Sequence, residues 1–367
     1  YRDFRYKYWL SMQTLMLNGF ARMTYEWCDK NGYKLTGHYI EENCLCGQME
    51  CCGGIMPFYE YEHIPGIDYL GRWLGTEIAP KQVSSVAAQL GKEQVITETY
   101  GCCGWDVSPR ELKRIAECQY ISGVNLMCQH LLPYSEYGQR KRDYPAHYSD
   151  INPWVRKGFL EFNSYFSVLG KLLATSCEPV EVGVLHPIRS AYFDYKFSPS
   201  ENWHGLGDIL EKPFEALTRT LCKEGIPHHY IDETLLEKYG GVDGDVLTLG
   251  KCSYRYIILP RIFTMGKYTE ALLRKFVHGG GKILLYDGKP EYLEGEKFNY
   301  PYLESNVNLE QIKAAQPFTV SHGGDVRCTY RRDYDGKEFI YAVNFGEATE
   351  VTFTLKNGKG LLSYDIL

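Results

Sequence analysis

Two glutamates in the first third of the sequence have the side chain and the setting for acid/base chemistry. Glu98 lies at the end of the apolar, β-branched segment "QVITE", and Glu42 ends the short segment "YKLTGHYIEE". Hydrolysis of a glycosidic bond needs one carboxylic acid that protonates the leaving oxygen and a second carboxylate that acts as nucleophile or activates water. We predict that Glu98 and Glu42 form such a catalytic pair, on different strands but facing one pocket opening.

Six further side chains lie near the ends of predicted strands, where a sugar could bind. Three are aromatic and could stack on a sugar face, two are histidines that could hydrogen-bond hydroxyl groups, and one is an aspartate that could bind substrate or cap the next segment. They are Tyr100, Trp105 and Tyr134, His38 and His130, and Asp68. Ordinary packing and capping explain the same residues, so the sequence leaves both explanations open.

A cysteine hydrolase is the main alternative among enzymes. Cys102 and Cys103 follow the turn after Glu98, and His130 ends the next predicted strand. A thiolate nucleophile needs a nearby base and a lowered pKa, and the sequence shows neither.

The elements that must position these residues alternate between strands and helices. The helix after Glu98 has a strong start signal, with Ser108 as cap, Pro109 in the first turn and Glu111 completing a capping box. Strands that alternate with helices over short connections predict a parallel sheet, and a (β/α)8 barrel has its active site at the carboxyl ends of the strands. We therefore predict an α/β fold in which residues 1–178 form the C-terminal part of a (β/α)8 catalytic barrel, with the other half upstream.

Two further units follow the predicted barrel segment. Residues 179–300 alternate again between buried strands and amphipathic helices, which predicts a second doubly wound α/β unit. No Gly-x-Gly-x-x-Gly follows a strand, and "HGGGK" stands between a helix and a strand, where it stops the helix rather than binding phosphate. Within residues 301–367 the pattern alternates with period two from about residue 316, around the hairpin signal Asp335-Gly336, and predicts the first strands of a β-sandwich.

Composition excludes several classes of protein. The 367 residues are 44% hydrophobic, and the net charge of −6 comes without a basic patch, which argues against a nucleic-acid partner. No apolar run approaches the roughly 18 residues of a membrane span. The thirteen cysteines are scattered and odd in number, which favours reduced thiols in a cytoplasmic protein over a disulfide scaffold or a metal cluster. A homo-oligomer is compatible with this composition.

Several stretches resemble one family of enzymes. "TGHYIEENCL", "MPFYEYEHIPGIDYLG", "APKQVSSVAAQLGKEQVITETYGCCGW", "GVNLMCQHLLPYS" and "GQRKRDYPAHYS" look like the second half of the catalytic barrel in bacterial glycoside hydrolases akin to the family 106 α-L-rhamnosidases. The following α/β unit resembles the flavodoxin-like domain of family 42 β-galactosidases, and the last strands resemble the sandwich domains of such enzymes.

The resemblance implies hydrolysis of an α-L-rhamnoside-like or β-galactoside-like substrate by two acidic residues. It places Glu98 on the seventh barrel strand and Glu42 on the fifth, with a fourth-strand acid upstream of this chain, and that leaves Glu42 as acid or as a sugar-binding partner. No cofactor is implied beyond calcium, whose ligands the resemblance does not trace, although the acidic run Glu60–Glu62 could help to hold a cation. The alternative is a non-catalytic carbohydrate-binding protein on a degenerate barrel.

Overall fold

The computed structural model describes residues 1–132, 152–196 and 203–356, together with positions 134, 137, 198, 358, 360 and 363. The α-helices of this part are Arg2–Met16 (α1), Arg22–Lys30 (α2), Leu45–Cys51 (α3), Ile78–Leu90 (α4), Pro109–Tyr120 (α5), Pro153–Ala174 (α6), Ile188–Asp194 (α7), Lys212–Lys223 (α8), Glu233–Tyr239 (α9), Lys267–His278 (α10) and Leu309–Ala315 (α11). π-helical turns at Leu17–Ala21 and Trp203–Glu211 and a 3₁₀ turn at Met56–Tyr61 complete them.

The first sheet consists of three parallel strands in chain order, as the alternating pattern predicts. They are Gly66–Tyr69 (β1), Ile96–Thr99 (β2) and Leu126–Gln129 (β3). Helix α5 begins at the predicted capping box, in which Ser108 and Glu111 exchange hydrogen bonds. Its Gln119 contacts Thr97 and Thr99 on one face of β2, so the helix covers that face.

The second sheet has four parallel strands, Val182–Leu185 (β5), His228–Ile231 (β6), Tyr256–Leu259 (β10) and Lys282–Leu285 (β12). Their order in the sheet is β12-β10-β5-β6. Helix α4 connects the two sheets, because its Ser85 hydroxyl accepts from the backbone N–H of Tyr230 and its Gln89 amide donates to the Tyr230 carbonyl. Polar side chains on a buried face of α4 thus form hydrogen bonds with the backbone groups of the edge strand β6.

Short strands make up the remaining sheets, in which one pair, Thr264–Met265 with Tyr292–Leu293, is parallel and the others are antiparallel. They are Ser176–Cys177 (β4), Gly240–Asp243 (β7), Val246–Leu249 (β8), Cys252–Tyr254 (β9), Thr264–Met265 (β11), Tyr292–Leu293 (β13), Glu296–Lys297 (β14), Phe318–His322 (β15), Val326–Asp333 (β16), Glu338–Asn344 (β17) and Val351–Leu355 (β18). β16 and β17 flank the predicted hairpin turn, whose Gly336 has a φ of 81°. β4 pairs with β16, which ties the last strands to the end of α6.

One predicted strand is absent. The segment 33–42 forms a single bridge between Thr36 and Ile64 and then turns, with Glu41 at a left-handed φ of 59°. The alternation that suggested a strand therefore belongs to a loop, and Glu42 does not stand at a strand end. None of the described helices is long and apolar enough to cross a membrane.

Candidate active site

Three side chains from neighbouring strands meet on the uncovered face of the first sheet. Asp68 on β1 pairs in register with Glu98 on β2, and Glu98 pairs with Cys128 on β3. Residues paired in register on parallel strands project to the same face. The opposite face holds fully buried Ile67 and Thr97, whereas the two carboxylates are partly exposed. The carboxyl end of this sheet therefore presents two adjacent acids to solvent.

His38 approaches Glu98 from the loop that replaces the predicted strand. Its Nε2 lies 2.6 Å from Oε2 of Glu98, and its Nδ1 lies 2.9 Å from the carbonyl oxygen of Tyr39. A carbonyl only accepts, so Nδ1 carries a hydrogen. Nε2 of His38 and the carboxylate of Glu98 thus form a close contact at a partly exposed position.

His130 approaches the same carboxylate from the other side. It follows β3, and its Nε2 lies 3.9 Å from Oε1 of Glu98. Gly101, in the turn after β2, lies against this ring, and a Cβ there would stand 3.1 Å from Cγ of His130. The structure therefore brings Glu98, His38, Asp68 and His130 together, with His38 on a loop rather than at a strand end.

Asp68 has a perturbed titration. Burial raises its pKa, the imidazole of His38 opposes this, and the charge of Glu98 raises it again. Asp68 is therefore the member of the pair suited to keep a proton and donate it.

Glu42 does not join this group, which corrects the prediction of a Glu42–Glu98 pair at one opening. Its side chain is fully buried. The carboxylate accepts hydrogen bonds from the backbone N–H groups of Tyr39 (3.1 Å) and Asp68 (2.6 Å) and from the Tyr59 hydroxyl (3.1 Å). Burial raises its pKa well above the usual range. From this position Glu42 cannot touch a substrate.

The predicted aromatic contacts have different outcomes. Tyr100 is fully buried against Phe162, so the prediction that it stacks on a sugar is wrong. Trp105 is half-buried in the turn after β2, and Tyr134 is exposed; their roles stay predictions. The quoted stretch "GQRKRDYPAHYS" lies outside the described residues.

Neither the thiol alternative nor the acidic run finds support. Burial raises the pKa of Cys102, and it raises that of Cys103 to about 11, the reverse of what a nucleophilic thiolate needs. Glu60 contacts Lys238 and Tyr239, and Glu62 is buried and accepts from a backbone N–H, so these carboxylates do not form an oxygen cage for calcium. Within the described residues no group of three His, Cys, Asp or Glu side chains is arranged to hold a metal ion.

The residues that support Glu42 behind the site were not predicted from the sequence. Gln82 and Gln48 both donate from their amides to the carbonyl of Glu42, and Tyr59 holds its carboxylate. One signal was available: Gln82 shares α4 with apolar Val83 and Val86, and a polar residue on a buried helix face must have a specific partner.

Comparisons with known proteins support the same fold. No protein-family model and no curated protein matches the sequence. Among solved structures, a rhamnosidase from Novosphingobium sp. PP1Y matches with a TM-score of 0.64 and 17% identity, over 89% of this chain and 33% of its own. An apo exo-carrageenase GH42 from Bacteroides ovatus matches with 0.58 and 12%, over 83% and 45%. A β-galactosidase from Bacillus circulans sp. alkalophilus matches with 0.54 and 10%, over 94% and 50%.

These matches bear on the resemblance inferred from the sequence motifs. This chain spans between one third and one half of the length of these three proteins. At such identities the likeness concerns the fold. The predicted resemblance to rhamnosidases and to family 42 β-galactosidases is confirmed at that level: this chain has the mixed α/β fold of the corresponding part of these glycosidases.

Proposed function

We propose that this chain belongs to a glycoside hydrolase and carries part of its active site. In this proposal residues 1–178 are the C-terminal part of a (β/α)8 barrel, residues 179–300 a flavodoxin-like domain and residues 301–367 a β-sandwich. The observation that supports it best is the carboxylate of Glu98, partly exposed at the end of a parallel strand and approached from two sides by imidazoles.

Glu98 is the nucleophile or the base of the reaction. In either role it must reach the anomeric region as a carboxylate, and the contact with Nε2 of His38 holds that carboxylate in place. Asp68, beside it, holds a proton more strongly than an ordinary aspartate. It binds a sugar hydroxyl or donates to the leaving oxygen. His130 is a further hydrogen-bonding partner for the sugar.

The fold likeness supports a proposal for the substrate class. The matched proteins are named as a rhamnosidase, an exo-carrageenase and β-galactosidases. For this chain we propose an α-L-rhamnoside-like or β-galactoside-like substrate. Calcium and a cytoplasmic location remain predictions.

The first test is turnover by the intact protein. Nitrophenyl α-L-rhamnoside and β-galactoside are assayed with the wild type, Glu98→Gln and Glu93→Gln. Glu93 is an exposed glutamate that precedes the same strand, so its substitution controls for a changed charge. We expect Glu98→Gln to lower kcat by about 10²-fold to 10⁴-fold and Glu93→Gln to leave it unchanged. Near-normal kcat in Glu98→Gln would remove Glu98 from the mechanism.

Asp68→Asn separates the two roles of Asp68. A variant that lacks the proton donor loses most activity on substrates with a poor leaving group but keeps it on dinitrophenyl glycosides, whose leaving oxygen needs no proton. A variant that lacks only a sugar contact loses activity on both alike. Binding of sugar without turnover by the wild type would instead favour the non-catalytic carbohydrate-binding alternative.

A further inference from the structure

The buried carboxylate of Glu42 joins the two segments that form the candidate site. Its Oε1 accepts from the backbone of Tyr39, the residue after His38, and its Oε2 accepts from the backbone of Asp68 itself. Glu42 itself is 26 residues from Asp68 in the sequence. Glu42 therefore fixes the distance between the imidazole and the acid pair.

The backbone carbonyl of Glu42 accepts hydrogen bonds from two side-chain amides, one of which also contacts a histidine next to the second sheet. The donors are the amides of Gln48 and Gln82, at 3.1 and 3.0 Å. Because the Gln82 nitrogen must face this carbonyl, its oxygen faces Nε2 of His186 at 2.9 Å, and that nitrogen carries the hydrogen. His186 directly follows β5 and is buried, which lowers its pKa to about 3, so it stays a neutral donor.

The geometry points to Glu42 as a positioning residue that holds the imidazole of His38 against Glu98, with Gln82 and His186 extending this support to the second sheet. The inference rests on the proposed function for its kinetic consequence, but its structural part stands alone. Glu42 acts through the backbone of Tyr39 and Asp68 and touches no substrate.

Glu42→Gln tests this role with little change in volume. Glutamine offers one oxygen where three donors meet, and its amide nitrogen cannot accept from either backbone N–H. The matched control is Glu233→Gln, because Glu233, at the start of α9, is also buried and also accepts from a backbone N–H, that of Gly266. Both variants are expected to lose stability, so unfolding alone does not decide between them.

Two readouts do decide. We expect Glu42→Gln to lower kcat between about 10-fold and 100-fold with a smaller change in KM, as a misplaced catalytic group does, while Glu233→Gln leaves both near wild type. In histidine-labelled protein, the ring signals of His38, assigned with His38→Gln, should move in Glu42→Gln toward those of a solvent-exposed histidine. His186→Leu should move them less, in the same direction.

The outcomes separate this inference from the proposed function. If the wild type turns over no glycoside, the proposed function fails, and the His38 signals still test the positioning. If Glu42→Gln leaves the His38 signals and kcat unchanged, the inference is overturned. His186→Leu covers the case in which Glu42→Gln does not fold, since unmoved His38 signals in that variant would exclude the support from the second sheet.

Discussion

Glu62 lies close to the candidate site, and its ionisation should make the protein less stable as the pH rises. Its side chain is buried, accepts from the backbone N–H of Gly66 at 3.1 Å and bonds the hydroxyl of Tyr39. Burial raises its pKa from 4.5 to about 8, although Gly66 and the ammonium group of Lys92 oppose the shift. The folded protein therefore holds a proton that the unfolded chain releases.

The sign and size of the effect follow from this difference. A carboxyl group whose pKa is raised by folding stabilises the folded state fully below 4.5, and this stability is lost as the pH rises through about 8. Each pH unit within that window costs about 1.4 kcal/mol. Between about pH 5 and pH 8 the loss is about 3.5 kcal/mol, because the unfolded group is already largely ionised at the lower pH and the folded group half-ionised at the higher.

Glu62→Gln removes the titrating group and should remove this slope. Urea denaturation at about pH 5 and pH 8 gives the free energy of unfolding of each variant. Relative to wild type, Glu62→Gln should gain about 3.5 kcal/mol between the two pH values. Glu111→Gln is the control, since hydrogen bonds from Ser108 and Arg72 lower the pKa of Glu111 to about 2. That group stays ionised across the window, so its substitution should leave the slope of the wild type intact. Parallel curves for wild type and Glu62→Gln would refute the reasoning.

Two other features give predictions of their own. Nη1 of Arg327 on β16 lies 2.5 Å from Oε1 of buried Glu77, so Arg327→Met should lower the free energy of unfolding by about 3–5 kcal/mol, because it leaves a buried charge unpaired. Adding Glu77→Gln should restore most of that stability in urea denaturation. A loss under about 1 kcal/mol in Arg327→Met would contradict the buried pair. Exposed Cys128 is the strand neighbour of Glu98, so a bulky thiol reagent should abolish turnover in the wild type but not in Cys128→Ser. Mass spectrometry follows the labelling, and equal inactivation of both proteins would place the sensitive thiol elsewhere.

Much of the fold could be predicted because its signals are local. The capping box of Ser108 and Glu111 lies within four residues, and it fixed the start of α5. The hairpin at Gly336 depends on one glycine. The position of Glu98 at the end of β2 followed from the apolar segment before it. These features need no knowledge of distant contacts.

Other features depend on contacts between distant segments, and there the sequence misled. The long helical segment near the start carries apolar residues at helical spacing, yet Leu15, Phe20 and Trp27 are exposed in the described structure, while Gln13 is buried and donates to the carbonyls of Gly53 and Gly54. Tyr100 looked like a sugar platform because it follows a strand, but it packs inward at a left-handed φ of 81°. Which face is covered depends on elements that pattern alone does not identify.

Glu42 was predicted at the pocket opening but is buried, and the physical reason applies to Glu62 as well. A carboxyl group sealed from water costs stability, and burial raises the pKa of both Glu42 and Glu62, which flank Tyr39. Apolar residues at these positions would make a more stable core, but they would leave the N–H groups of Tyr39 and Asp68 unpaired and the loop of His38 unfixed. Glu42 and Glu62 lower the stability of the fold, and we expect such residues where function requires a precise placement of His38 against Glu98. Relieving one of them, as in Glu62→Gln, should give a protein that resists urea better at high pH.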